Sequence, residues 1–352
     1  MKKLCLSNLQ ITATILILVI ITFAIIATKH IVFPVSPPMQ ILILPKQYPA
    51  IADQAVSSYR NKKIEHNLRI GTYDPFGDYL NYGTTKFYRS GGNVKLDTEG
   101  LPQVKYGNEF HYNPVTLSQY ALSKYGAFLN GNTTALHSFK KACEKLLELQ
   151  GKDGSFRYSF PYRYYLTKEI FQPGWISGMA QGQALSVFAR AYHITREKKY
   201  LEAGNTTLKF LVTPIAEGGP RSTLSDLHPS LSTLIFFEEY ISRPNNYTLN
   251  GFMFTLLGLY DWSQITFPSR IYSSLQARYF FRRGLLTLKS LLPYYDIHGF
   301  SAYDLGHYFI NKPPHVIPRY HAAHIQLLHA LNSVSPDPVL EHYEKLLVGY
   351  VQ

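Results

Sequence analysis

Residues 174–187 read GWISGMAQGQALSV, a stretch without a charged side chain. Apolar and small residues continue this character, and we expect one helix from Trp175 to Thr195. Gly178 and Gly182 lie four residues apart, so they share a helix face on which a neighbouring helix can approach closely. A helix with so few charges is buried on most of its faces. The stretch therefore predicts an inner helix of a helical domain.

Three further segments have the same aromatic-rich, charge-poor character: Pro114–Leu129, Leu249–Ser263 and Arg319–Val334. Each of the four is followed by a segment that carries charge on one face and apolar residues on the other: Ala135–Gln150, Lys199–Leu211, Arg270–Leu292 and Pro338–Val348. An inner helix poor in charge, paired with an amphipathic outer helix, is the repeating unit of an α/α toroid. The pattern predicts a mainly α chain with an incomplete α/α toroid.

The region before the first inner helix predicts several smaller parts. Lys2 and Lys3 precede an apolar run of residues 9–27, and about 20 such residues span a bilayer. We expect a cytoplasmic segment (1–8), a transmembrane signal anchor (9–27), a proline-containing stem (28–50), a small cap with possible strands (51–105) and the α/α-toroid domain (106–352). The chain is then a single-pass membrane protein whose toroid domain lies on the extracytoplasmic or lumenal side. A cleaved signal peptide is the alternative.

Composition limits the partners. Lys and Arg number 35 against 23 Asp and Glu, a formal charge of +12, which is compatible with an acidic polymer as partner. The basic residues are scattered and form no recognisable nucleic-acid module, so we expect no nucleic acid. The 28 tyrosines against 2 tryptophans suit either a core or a surface that stacks on sugars. Cys5 and Cys143 form neither a disulfide framework nor a zinc site.

Three long loops precede inner helices, at residues 151–174, 212–248 and 293–318. Because the helices alternate in direction, these loops gather at one end of the domain, where function usually lies. In the second loop Glu238 and Glu239 point in different directions, so we expect only one to act as a base or acid. His321 and His324 lack a third ligand at clear spacing, so we expect no metal and no cofactor.

Several stretches together resemble the C-terminal domain of the D-glucuronyl C5-epimerase family. Beside residues 174–187, they are Tyr112–Val115, Phe237–Tyr240, Leu249–Phe252, Leu256–Asp261, Tyr303–Leu305 and Tyr320–Ile325, in the family's order across about residues 106–335. Any one of these motifs is weak, but their common order is specific. One departure is Gly306, where the family pattern has an arginine, and this leaves the polymer open.

The resemblance implies a toroidal enzyme, a homodimer in many members, that converts D-glucuronate to L-iduronate in heparosan-like polysaccharide. It implies Glu239 and Tyr320 as the proton-transfer pair and Tyr303 as a further catalytic residue. The remaining candidates for substrate binding are Tyr112, Tyr240, Tyr162, Gln183, His307 and His324, with Arg157, Arg163 and Arg319 as candidates for neutralising the substrate carboxylate.

Three other functions use a similar groove. A polysaccharide lyase forms the same carbanion but expels the neighbouring glycosidic oxygen, whereas a glycosidase needs two carboxylates flanking the bond. A protein that only binds polysaccharide needs neither. In the product, unsaturated ends identify a lyase, new reducing ends without unsaturation identify a glycosidase, and unchanged chain length identifies an epimerase.

Overall fold

The computed structural model describes residues 71–84, 92–265, 271–310 and 312–351, together with Asp53 and Ser57. The predicted anchor (9–27) and stem (28–50) lie outside the described residues. Among the residues that are described, no helix combines the length and the apolar character needed to cross a membrane.

Four inner helices alternate with four outer helices in the part of the chain described from residue 92 onward. The inner helices are α1 (Pro114–Leu129), α3 (Gly178–Thr195), α5 (Leu249–Ser263) and α7 (Pro318–Val334), and the outer helices are α2 (Ala135–Leu149), α4 (Lys198–Leu211), α6 (Ile271–Tyr295) and α8 (Pro338–Gly349). These bounds confirm the helices predicted from the sequence to within a few residues, and the described part of the chain is mainly helical.

Short antiparallel strands occupy the connections. Strands β1 (Val94–Leu96), β2 (Pro102–Tyr106) and β3 (Glu109–His111) form a three-stranded sheet before α1, and β4 (Tyr162–Arg163) pairs with β5 (Ile170–Phe171) before α3. Strands β6 (Arg221–Thr223) and β7 (Ile235–Phe237) pair before α5. The two later hairpins therefore stiffen the two long loops that precede α3 and α5.

The inner helices pack side by side in the order α1, α3, α5, α7, and each outer helix packs on its own inner partner. Glycines allow the closest approach, between α3 and α5. A Cβ added to Gly258 would lie 1.9 Å from the carbonyl oxygen of Gly182, and one added to Gly182 would lie 2.4 Å from Cα of Thr255. The expected close approach at Gly182 is confirmed.

A 3-10 segment, Tyr79–Thr84, packs against both the first and the last inner helix, α1 and α7. The side-chain amide of Gln326 on α7 donates to the carbonyl of Leu80 at 2.6 Å. On the other side, a Cβ added to Gly83 would lie 2.4 Å from the backbone of Gly126 on α1, so only glycine fits. This segment thus links the two ends of the inner row.

A buried ion pair holds the C-terminal ends of α3 and α5 together. Arg190 and Asp261 are 2.7 Å apart, and neither side chain is exposed. Arg190 also donates to the carbonyl of Gly77 at 3.0 Å, and the hydroxyl of Tyr73 donates to Asp261 at 3.0 Å. Burial raises the pKa of Asp261 to about 6, although Arg190 opposes this rise. The pair fastens residues 73–77 to the helices.

Replacing Arg190 by leucine is expected to lower the free energy of unfolding by about 3–5 kcal/mol, because Asp261 remains buried without its partner. Urea denaturation at pH 7 measures this loss. The double variant Arg190→Leu/Asp261→Leu serves as control and is expected to recover part of the stability, because it leaves no buried charge. A single variant within about 1 kcal/mol of wild type would contradict this role.

Candidate active site

Side chains from the three long loops meet beside the N-terminal ends of α3, α5 and α7. The ring of Trp175, before α3, lies 6.4 Å from that of Tyr240, before α5. The ring of Tyr165 lies 6.0 Å from that of Tyr303 and 4.9 Å from that of His315, both in the loop before α7. The predicted gathering of these loops at one end of the inner helices is confirmed.

Glu238 and Glu239 follow β7 and point in opposite directions. The Glu238 backbone is held on both sides: its N–H donates to Pro220 at 2.9 Å, and its carbonyl accepts from the Gly178 N–H, at the start of α3, at 2.7 Å. The Glu238 carboxyl is fully buried and accepts from Ser222 Oγ at 2.7 Å. The Glu239 carboxyl instead faces Tyr303, whose hydroxyl lies 3.4 Å from each of its oxygens.

Burial changes the protonation of both acids. Desolvation raises the pKa of Glu239 to about 7, while the hydroxyls of Tyr240 and Tyr303 oppose the rise. Desolvation raises the pKa of Glu238 to about 8. A general base works best when its pKa lies near the working pH, and Glu239 meets this condition. Tyr303 stays protonated, because burial raises its pKa well above the ordinary value.

Gly251, in the first turn of α5, makes room for the Glu239 carboxylate. A Cβ at this position would lie 2.4 Å from Glu239 Oε2 and 2.9 Å from Glu239 Cβ. Since the second of these atoms is close to the backbone, the acid cannot avoid the clash by rotating its carboxylate alone. The glycine therefore sets where the carboxylate lies.

Gly251→Ala is expected to reduce turnover by about 10- to 100-fold, because it displaces Glu239 while removing no polar group. Measuring kcat/KM together with Tm separates this effect from unfolding. Gly349→Ala, where an added Cβ has no atom within 4 Å, is the matched control and is expected to be neutral. Equal activity of the two variants would mean that the carboxylate position is not set here.

Tyr303 and Tyr320 form the opposite wall of the cleft. Their ring centroids are 4.4 Å apart. Tyr303 is fixed through its backbone, since its N–H donates to the His315 carbonyl at 2.7 Å and its carbonyl accepts from the Leu249 N–H at 2.9 Å. Tyr320, in the first turn of α7, is half-buried, and its neighbour Arg319 lies over its ring at 4.9 Å. One Arg319 nitrogen is 3.4 Å from the Tyr320 hydroxyl.

An aromatic wall extends from Glu239. The Tyr162 ring lies 5.8 Å from that of Tyr240 and 5.4 Å from that of Trp175, nearly parallel to both. Tyr106, at the end of β2, stacks on Phe160 at 4.0 Å, and the negative charge of Glu239 contributes to its raised pKa, which burial mainly causes. Tyr240 and Tyr162 are predicted from the sequence, whereas Tyr106 is not, because no motif marks the short strand that carries it.

Two of the predicted binding residues contact partners outside the group around Glu239. Tyr112 donates its hydroxyl to Asp97, and Lys145 on the outer helix α2 lies 5.3 Å from its ring. Arg157 pairs at 3.0 Å with Asp153, which lies four residues earlier in the chain. Neither side chain is directed at Glu239.

Arg163 is exposed on β4 next to Tyr162, and alternation along a strand directs its side chain to the other face. Arg163 therefore does not join the aromatic wall.

Three more candidates are buried. Gln183 on α3 and His324 on α7 are fully buried, and His307 is 5% exposed, with its pKa lowered to about 4 by burial. The Nδ1 atoms of His321 and His324 lie 2.8 and 2.7 Å from Ser301 Oγ, which fixes the start of the segment bearing Tyr303. Among the described residues, no group of three or more His, Cys, Asp or Glu is placed to hold a metal.

Comparisons with known proteins add to this geometry. The chain is 31% identical over 224 residues to the D-glucuronyl C5-epimerase of Caenorhabditis elegans, which covers 61% of this chain and 35% of that protein. It is 28% identical over 238 residues to an uncharacterized protein of Methanocaldococcus jannaschii, covering 66% of this chain and 68% of that one. The chain thus spans about a third of the length of the nematode relative.

A solved polysaccharide lyase is 14% identical in sequence, with a TM-score of 0.41, over 86% of this chain and 83% of the lyase. The family model for the D-glucuronyl C5-epimerase C-terminus matches residues 150–347, more than half of the 352 residues. That match covers Glu239, Tyr303 and Tyr320, together with the three loops that bring them together. The chain belongs to the D-glucuronyl C5-epimerase C-terminal family.

Proposed function

We propose that this protein inverts C5 of D-glucuronate residues to L-iduronate within an acidic, heparosan-like polysaccharide. The main support is that the Tyr303 hydroxyl lies 3.4 Å from both Glu239 oxygens while its ring lies 4.4 Å from that of Tyr320. A carboxylate and a phenol from separate loops therefore share one cleft. Membership of the family and the likeness to the nematode epimerase support the same reaction.

The chemistry requires two proton carriers. Glu239 takes the C5 proton, and the electron pair left on C5 spreads into the adjacent carboxylate as an enolate-like dianion. Tyr320 then donates its phenolic proton to C5 from the opposite face, because return from the first face would restore the original configuration. Exchange with solvent returns protonated Glu239 and the Tyr320 phenolate to their starting states, and Tyr303 contacts both residues. Each positioned acid or base contributes about 10²–10⁴ in rate.

Positive potential in the cleft favours the developing charge. The N-terminal ends of α3, α5 and α7 carry Gly178, Gly251 and Tyr320, so the partial positive charge of three helix dipoles lies near the cleft. Arg319 places a full positive charge beside the Tyr320 oxygen, which becomes negative when the proton is given up. The cleft therefore stabilises both a negatively charged intermediate and the phenolate.

The toroid architecture, the localisation and the oligomeric state are also proposals. The row of paired inner and outer helices, with Tyr79–Thr84 between its ends, supports an incomplete α/α toroid. The apolar run 9–27 supports a signal anchor that places the catalytic domain outside the cytoplasm or in the lumen. The resemblance supports a homodimer.

Incubation with heparosan in deuterated water tests the reaction. We expect deuterium at C5, L-iduronate in the product and unchanged chain length, read by NMR and size-exclusion chromatography. Unsaturated ends would make the protein a lyase, and new reducing ends without unsaturation would make it a hydrolase. Binding without exchange or cleavage would exclude all three enzymatic functions for this polymer.

A further inference from the structure

A uronate C5–H is a very weak acid unless a hydrogen-bond donor stabilises the adjacent carboxylate. Arg319 lies over Tyr320 and contacts its hydroxyl, so it is placed to serve the phenolate. The substrate carboxylate requires a donor of its own, and the side chains beside Tyr303 are the candidates.

His315 lies beside Tyr303 and Tyr165, with its ring 4.9 Å from each of theirs. Its carbonyl accepts from the Tyr303 N–H at 2.7 Å, so the position of its backbone is tied to that of Tyr303. Its side chain keeps 33% exposure, whereas Tyr303 is 3% exposed. The imidazole is thus held on the cleft wall with one edge open.

The other edge of the imidazole faces a buried acid. His315 Nδ1 lies 3.5 Å from Oδ2 of Asp304, whose side chain is 1% exposed. Two groups of the protein already hold that acid: the Tyr165 hydroxyl donates to Oδ2 at 2.6 Å, and the Gly306 N–H donates to Oδ1 at 2.8 Å. A carboxylate fixed in this way orients the imidazole ring.

We propose that His315, held by Asp304, binds the carboxylate of the uronate residue at the reaction centre. Its Nδ1 faces Asp304, and its Nε2–H donates to the substrate. The inference rests on the proposed function for the identity of the acid group. The charged or titratable groups that face the ring are Asp304, Tyr165 and Tyr303, with Arg319 beyond Tyr320.

The pairing is tested by changing both partners. Affinities for a heparosan oligosaccharide and for its carboxyl-reduced counterpart are measured by calorimetry, with wild type and His315→Gln in the Glu239→Gln background that prevents turnover. We expect the His315-containing protein to bind the carboxylate form roughly 10- to 100-fold more tightly than the reduced form. His315→Gln is expected to lose most of this preference and to bind the reduced form unchanged.

Two controls make the result decisive. His298→Gln alters a histidine whose side chain is 75% exposed and lies near Asp296, and it is expected to keep the full preference. His315→Arg keeps a hydrogen-bond donor at this position and is expected to keep part of the preference. If His315→Gln weakens both ligands equally, or if Arg319→Gln alone removes the preference, His315 does not bind the carboxylate. The deuterium exchange of wild type is measured separately, so a failure of the proposed reaction is recognised independently.

Discussion

Glu239→Gln is expected to slow deuterium exchange at C5 of the uronate by about 10²–10⁴-fold, because it removes the base and changes little else. Glutamine has the shape of glutamate, so it fits beside Gly251, and its amide oxygen can still accept from the Tyr303 hydroxyl. Exchange is measured by NMR on a heparosan oligosaccharide in deuterated water, and Tm confirms the fold. Exchange at the wild-type rate would remove Glu239 from the mechanism.

The neighbouring residue supplies a matched control, since Glu238→Gln makes the same chemical change one residue away. Glu238 contacts Ser222 and the Tyr247 N–H, and we expect its variant to exchange deuterium at the wild-type rate. Its folded-state pKa of about 8 exceeds the ordinary value, so its stabilising contribution is complete below about pH 4.5 and is lost as pH rises through 8. The variant is therefore expected to be more stable than wild type at pH 9.

Acid titration gives a second reading of the same base. Below pH 7 the Glu239 carboxyl is largely protonated, because burial raises its pKa to about 7, and a protonated carboxyl cannot abstract a proton. We expect kcat/KM to rise about tenfold per pH unit below pH 6 and to level above pH 8. A flat profile from pH 5 to 8 would show that another group limits the rate.

The helices are predictable because the distribution of charged residues indicates which helix faces are buried. Inner segments poor in charge and outer segments with one charged face predicted the bounds of all the described pairs to within a few residues. The largest error at a helix start is in α3, which begins at Gly178 rather than Trp175. Ser177 accepts from the Ala180 N–H and caps the helix, while Trp175 turns into the aromatic wall.

The approach of Glu239 to Tyr303 and Tyr320 follows from topology, since loops before alternate helices share one end. Side chains whose place depends on loop backbone were not predictable: His315 is positioned by its backbone hydrogen bond with Tyr303, and Tyr106 by its place at a strand end. Arg157 pairs with Asp153 four residues earlier, and this spacing is visible in the sequence.

Tyr320→Phe is expected to separate inversion from exchange. Formation of L-iduronate should fall by about 10²–10⁴-fold, because the variant cannot donate a proton from its face. Glu239 remains able to remove the C5 proton and to return deuterium to the same face, so D-glucuronate should still gain deuterium with retained configuration. NMR distinguishes the two products in one sample. Tyr279→Phe, on the exposed face of α6, is the matched control and is expected to behave as wild type.

Tyr303→Phe and Tyr320→Phe are expected to give different results, which makes the test specific. Tyr303 contacts Glu239 directly, so Tyr303→Phe should slow exchange and inversion together, whereas Tyr320→Phe should slow inversion much more than exchange. If Tyr320→Phe slows both equally, Tyr320 stabilises the carbanion and does not deliver its proton. If it slows neither, the proton reaches the second face from another donor. Only unequal loss supports a carboxylate and a phenol acting from opposite faces of the sugar ring.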